Sequence, residues 1–305
     1  MRKILSLTAL ALLAVTAEAE TAETVIAACA EGQAVSFEDL AASHKAILYG
    51  DYHGTLEMPA LFADQVAKAA AGGRRVVVAL EYPANWQADL DAVMAAPGEV
   101  AALDAFAMHR LPDGRTSDAM RNMLLQLRAL KVAGANITVI AADARELRTD
   151  ADRAAAEALD LPEEVDRVLG QRDLDLALHA KAACDASACE LIMLYAGNMH
   201  TRLGVMESAW FDQAGNRMPF QTAPAGYILS GFMPTASVYL MNRGGYVANR
   251  GRNGAFGLRK IAPVIADYVT DDGTYYCMGD DPMFSHGLSV GIISSSEDSL
   301  AAAGQ

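Results

Sequence analysis

The sequence predicts an α/β fold: a mainly parallel central sheet flanked by helices, with an antiparallel C-terminal extension. Three observations carry this. Four short apolar runs are separated by helical patterns, the mark of repeated βα units. The chain has 305 residues, 52% hydrophobic and 20% charged with 10 prolines, which is enough apolar surface for a sizeable core and too much for disorder. After His200 the pattern changes to short runs between Gly/Asn-rich turns, including Tyr227 to Phe232 and Ser237 to Met241, which read as antiparallel strands.

The N-terminus reads as a signal peptide over residues 1–19. Arg2 and Lys3 form a positive start, Ile4 to Val15 is almost wholly apolar, and Ala17-Glu18-Ala19 gives the small-x-small cleavage pattern. The apolar run, about 12 residues, is too short to span a bilayer as a helix, and no later segment is long enough either. Residues 20–305 are expected to form a single α/β domain, soluble and periplasmic or secreted, with no membrane span.

Three helices are legible between the apolar runs. The first begins near Gly54 or Thr55, runs to Ala71 and is stopped by Gly72-Gly73. Ser117 caps the second, whose Met120, Met123, Leu124, Leu127 and Leu130 form one apolar stripe, and Gly134 ends it. The third opens with Pro162 in its first turn and runs towards Cys184.

Charge and cysteines narrow the class. Lys and Arg number 24 against 38 Asp and Glu, a net charge of -14, so a nucleic-acid partner is not expected. In an oxidising compartment an even count of four cysteines suggests bridges, and Cys184-x4-Cys189 without a second close pair suits zinc poorly. Four cysteines allow three pairings. A local Cys184 to Cys189 bridge would leave Cys29 and Cys277 to tie the two ends of the chain.

Each apolar run ends in a residue that can do chemistry. Ala46 to Tyr49 leads to Gly50-Asp51-Tyr52-His53, Val76 to Leu80 leads to Glu81, Ile137 to Ile140 leads to Asp143, and Leu191 to Leu194 leads to Gly197-Asn198-Met199-His200. In an open α/β sheet, ligands bind beyond the carboxyl ends of the strands, so these tips should share one crevice. Two of them carry Gly-x-x-His, which places His53 and His200 at equivalent tips. His44, His109, His179 and His286 read as structural or exposed, and Asp143 also fits a helix start. Arg172 and Asp173 equally suit a solvated helix face.

Two further patterns bear on function. Gly287-x-Ser289-x-Gly291 matches a nucleophile elbow, but no acid–histidine partner order follows it. From Gln213 to Ala266 no acidic residue occurs, while Arg217, Arg243, Arg250, Arg252, Arg259 and Lys260 do. That asymmetry suits an anionic ligand over the cleft, and a hairpin with scattered arginines accounts for it as well.

The stretch Gly50-Asp51-Tyr52-His53-Gly54-Thr55-Leu56-Glu57 resembles the superfamily that groups erythromycin-esterase-like enzymes, ChaN-like haem-uptake proteins and Tiki-type metalloproteases. Ala79-Leu80-Glu81-Tyr82-Pro83, Arg172-Asp173-x-x-Leu176-Ala177 and Gly197-Asn198-x-His200 follow in the family's order, covering about residues 45 to 203. The resemblance implies a cleft in which His53, Glu81 and His200 function, with Arg172 contributing and Glu57, Tyr82 and Asn198 on the substrate. Asp51 stands where the family usually has glutamate. The helical insert typical of macrolide esterases is not recognisable, and no lipidation cysteine follows the leader.

The implied activity is a hydrolase acting on an ester, lactone or amide of a small-molecule or peptide substrate. His53, neutral near pH 7, would take a proton from water, with Asp51 or Glu81 orienting its ring, while His200 and Arg172 hold the developing oxyanion. The Tiki-type relatives imply an alternative in which His53, Glu81 and His200 bind a divalent metal that activates the water. The ChaN-like relatives imply binding without turnover, haem being held by histidine or by Tyr49, Tyr52, Tyr82 or Tyr195.

Overall fold

A computed structural model describes residues 29–143, 171–211, 216–250 and 256–296, with positions 154, 158, 160–163 and 165 between them. The expected signal peptide lies outside the described residues. In chain order the elements are β1 (Ala34–Val35), α1 (Phe37–Ser43), β2 (Ala46–Asp51), α2 (Glu57–Ala70), β3 (Val76–Pro83), α3 (Gln87–Ala95), α4 (Glu99–Phe106), α5 (Asp118–Val132) and β4 (Ile137–Asp143). They continue with α6 (Gln171–Ser187), β5 (Leu191–Gly197), β6 (Met206–Phe211), β7 (Arg217–Thr222), α7 (Ala225–Ser230), β8 (Thr235–Met241), β9 (Gly245–Arg250), β10 (Phe256–Ile261), β11 (Tyr275–Cys277) and β12 (His286–Ser289).

The sheet has eight strands in the order β1-β11-β12-β8-β2-β5-β3-β4. From β12 to β4 every pairing is parallel, and β11 and β1 add an antiparallel edge. Strands buried on both faces read as continuous apolar runs, which is why the four runs were visible. Their side chains alternate between two cores. Ile47, Tyr49, Val78, Leu80, Met193 and Tyr195 face α2 to α5, whereas Ala46, Leu48, Ala79, Ile192 and Leu194 face α6 and α7. The stripe of α5 buries Met120, Met123, Leu124 and Leu127 against the first core, each worth roughly 1.5–3 kcal/mol. Ser117 caps that helix by accepting the Met120 N–H.

The C-terminal region differs from the sequence expectation in two places. Tyr227 to Phe232 is not a strand, because its apolar residues recur at helical spacing and pack Ile228 and Leu229 into the second core as α7. Ser237 to Met241 is a strand, but it lies parallel to both β2 and β12. The antiparallel character comes instead from the β6–β7 and β9–β10 hairpins and the β1–β11–β12 edge. Pro162 is not helical, and the helix before β5 is described over Gln171–Ser187.

Both bridges are present, Cys29–Cys277 and Cys184–Cys189. The first fastens the segment before β1 to the end of β11, and the second closes the turn between α6 and β5. Among the described residues, no helix is long and apolar enough to cross a membrane.

Candidate active site

The carboxyl ends of four neighbouring strands, β2, β5, β3 and β4, carry the site. Asp51 is the last residue of β2 and stands opposite Gly197, the last residue of β5. Adding a Cβ at Gly197 would bring it 3.1 Å from His53 Nε2, so glycine is what lets the two tips close on each other. The resulting cleft of about 270 Å³ is bordered by Asp51, Tyr52, His53, Glu81, Asp113, Arg115, Arg172, Asn198, Met199, His200 and Asn249.

Both histidines have an aspartate against Nδ1, and of the two contacts the His200–Asp173 one has hydrogen-bond geometry. His53 Nδ1 lies 2.8 Å from Asp51, and its Nε2 lies 3.3 Å from Glu81 Oε2. His200 Nδ1 lies 2.8 Å from Asp173, and its Nε2 lies 3.7 Å from Glu81 Oε1. Each imidazole thus has its own aspartate behind it, and Glu81 stands between the two Nε2 atoms. The repeated Gly-x-x-His of the sequence corresponds to this pairing.

Glu81 is nearly fully buried and its oxygens are occupied. Oε2 accepts the Gly197 N–H at 2.7 Å, while Oε1 accepts Arg115 Nη1 at 3.0 Å and also Arg172 Nη2. Arg172 Nε donates to Asp143 at 2.8 Å, and Arg115 is braced by Asp113. Burial alone would raise the Glu81 carboxyl, but His53, His200 and Arg172 outweigh it and hold it well below the usual range.

The same charges act on the histidines. Burial pulls His53 down, yet Asp51 and Glu81 on its two nitrogens override this and push it up to about 10. His200 is also raised, burial being outweighed by Glu81 and Asp173. His53 is thus not neutral near pH 7, as an ordinary histidine is expected to be: two carboxylates on one ring make its resting form an imidazolium.

The structure brings His53, Glu81, His200, Asp51, Arg172 and Asn198 to one cleft and leaves two other candidates outside it. Glu57 opens α2, where its carboxylate accepts the Ser294 N–H at 2.8 Å. Tyr82 is buried, with its ring against Trp86 and Phe106, because alternation along β3 turns it away from Glu81 into the first core. Of the tyrosines considered for haem, Tyr49, Tyr82 and Tyr195 are core residues; Tyr52 borders the cleft, with its hydroxyl 2.7 Å from that of Tyr239.

A divalent cation does not fit the set His53, Glu81 and His200 as arranged. Glu81 is committed to two guanidinium groups and a backbone N–H, and both nitrogens of His53 face carboxylates. Asn249 brings the acid-poor stretch to the cleft, but none of its arginines is among the lining residues. Arg217 pairs with Glu207 and Arg243 with Asp272. Arg252 and the Arg250 side chain lie outside the described residues.

Sequence reasoning missed Arg115 and Asp113, and passed over Asp173. Arg115 sits in Pro112-Asp113-Gly114-Arg115, which reads as an ordinary turn. Asp173 was visible beside Arg172 but looked like a surface charge, and only the fold shows that it supports His200.

No family model matches this chain, and no curated protein matches it. Solved structures do. An erythromycin esterase, EreC, as a mutant in its open conformation, superposes with a TM-score of 0.55 at 11% identity, covering 87% of this chain and 95% of that one. A succinoglycan biosynthesis protein gives 0.56 at 12% identity, covering 88% and 94%. ChaN of Campylobacter jejuni, described with cofacial haem, gives 0.35 at 12% identity over 68% and 86%. At these identities the likeness is one of fold, the α/β architecture that EreC and the succinoglycan biosynthesis protein have in common. Within it this chain shares the overall fold of EreC across most of its length.

Proposed function

We propose that the protein is an exported hydrolase that cleaves an ester, lactone or amide by water attack in the His53–Glu81–His200 cleft. The observation that carries this is the convergence of His53, Glu81 and His200, with Asp51 behind His53, on a solvent-open cleft at the strand ends. His53 acts in its neutral minority form, which grows towards pH 10, taking a proton from water through Nε2 while Asp51 stabilises the imidazolium that forms. His200, held by Asp173, and Arg172 and Arg115 supply positive charge for the oxyanion. The four basic groups face the carboxylates of Asp51, Glu81, Asp113, Asp143 and Asp173, so the resting site is close to charge balance and favours a neutral scissile group over a multiply charged substrate. The Ala17-Glu18-Ala19 pattern and the two bridges support placing the protein in the periplasm or outside the cell.

The test is a panel of esters, lactones and peptides assayed with a chelator and again with added Mn²⁺ or Zn²⁺, alongside a haem titration. Turnover that survives the chelator, with no stoichiometric Soret shift, is expected. Stoichiometric haem binding without turnover of any substrate would overturn the proposal in favour of transport.

A further inference from the structure

We infer that Cys29, Cys277 and His286, none of which lines the cleft, form a second site that binds Zn²⁺ when the Cys29–Cys277 disulfide is reduced. Among the described residues this is the one group of three metal-ligating side chains whose donor atoms all lie within 4.8 Å of one another. Cys277 and His286 are direct partners across the β11–β12 ladder, so their side chains rise on the same face of the sheet. Cys29 reaches them from the segment before β1, with its Sγ 3.9 Å from His286 Nε2.

The histidine is oriented as a metal ligand should be. Its Nδ1 lies 2.9 Å from Ser285 Oγ, which fixes the ring and leaves Nε2 towards the sulfurs. Such anchoring of the outer nitrogen is the usual support for a ligating imidazole. A second imidazole, His44, stands edge-on to His286 at 6.1 Å between ring centroids, with its own Nδ1 3.0 Å from the Leu40 carbonyl. Cys277 and His286 are buried, so the cluster is enclosed rather than a chance surface grouping.

Conversion needs little backbone movement. Zinc–sulfur bonds of about 2.3 Å in a tetrahedral site place two thiolates roughly 3.8 Å apart. The two cysteine Cα atoms are already 5.8 Å apart, so rotation of the freed side chains can open that gap. An external dithiol supplies two electrons and two protons, the S–S bond breaks, and the dithiol becomes a disulfide. Zn²⁺ then displaces both thiol protons and binds the thiolates and His286 Nε2. The N-terminal strand β1 stays fastened to the sheet edge in both states.

The test uses the full chain carrying Cys184→Ser and Cys189→Ser, reduced with a dithiol and freed of it without air, with Co²⁺ as the probe. Thiolate-to-cobalt charge-transfer bands at one Co²⁺ per chain, bleached by Zn²⁺ and missing from the oxidised protein, are expected. His286→Ala should weaken Co²⁺ binding at least tenfold. Reduced protein without such bands, or an unchanged affinity in His286→Ala, would overturn the inference. If reduction alone unfolds the chain, circular dichroism becomes the readout: recovery of the native spectrum on adding Zn²⁺ supports the site, and failure to recover rejects it.

Discussion

Glu81 Oε2 lies 3.3 Å from His53 Nε2, so the end of β3 and the tip of β2 meet at the one nitrogen that must receive a proton. Asp51 holds the opposite nitrogen at 2.8 Å. With a carboxylate at each nitrogen the histidine is strongly basic, and its pH behaviour follows from that.

Stability and rate should move in opposite directions with pH. His53 is raised to about 10 from an unfolded value near 6.5. Its contribution to stability is fully present below about pH 6.5 and is lost as pH rises through about 10. The neutral form needed for general-base action grows over the same interval, so kcat/KM should climb from pH 7 towards 10 while Tm falls. Thermal melts and rates of wild type and His53→Gln over this range check both slopes, which should flatten in the variant.

Glu81→Gln should be costly to the fold as well as to activity. From sequence alone Glu81 is a strand-tip residue that contributes little to the core. In the structure it is nearly fully buried beneath Arg115 and Arg172, and removing its charge leaves buried guanidinium groups undercompensated. Breaking such a buried pair typically costs about 3–5 kcal/mol. Urea denaturation of wild type and variant should show a loss near the lower end of that range, because Asp143 still pairs with both arginines.

Gly54→Ala should displace His53 from below. Gly54 has φ +85°, and a Cβ there would lie 2.0 Å from the Ala248 carbonyl oxygen of β9. The same strand holds His53 in place, since Asn249 Nδ2 donates to the His53 carbonyl at 3.1 Å. The substitution is expected to lower Tm and kcat together. Gly72→Ala, at φ +76° in open space just past the C-terminal end of α2, should cost only the backbone strain of about 1–2 kcal/mol and leave kcat unchanged.

Much of this arrangement was legible in the sequence, and the illegible part has a physical cause. The strands β2 to β5 were visible because double burial makes them continuously apolar, and their ends marked Asp51, His53, Glu81, Asp143 and His200. Arg115 carries no local signature, and Asp173, though part of the Arg172-Asp173 motif, equally fits a solvated helix face, since both roles depend on charges brought together by the fold. Tyr82 and Glu57 were misplaced for a related reason. Neighbouring a functional residue in sequence does not put a side chain on the same face of a strand, nor keep a helix-opening carboxylate from bonding its own scaffold. The segment Tyr227 to Phe232 was ambiguous because a short apolar run fits either period.

The most direct measurement is kcat/KM for His53→Ala against wild type, on whichever ester, lactone or amide the wild type turns over. His53 is partly exposed at a strand tip, so the variant should retain the native circular dichroism spectrum. A fall of about 10² to 10⁴ is expected for loss of a general base. Equal kcat/KM in a folded His53→Ala protein would contradict the assignment of His53 as the base and, with it, the catalytic reading of the cleft.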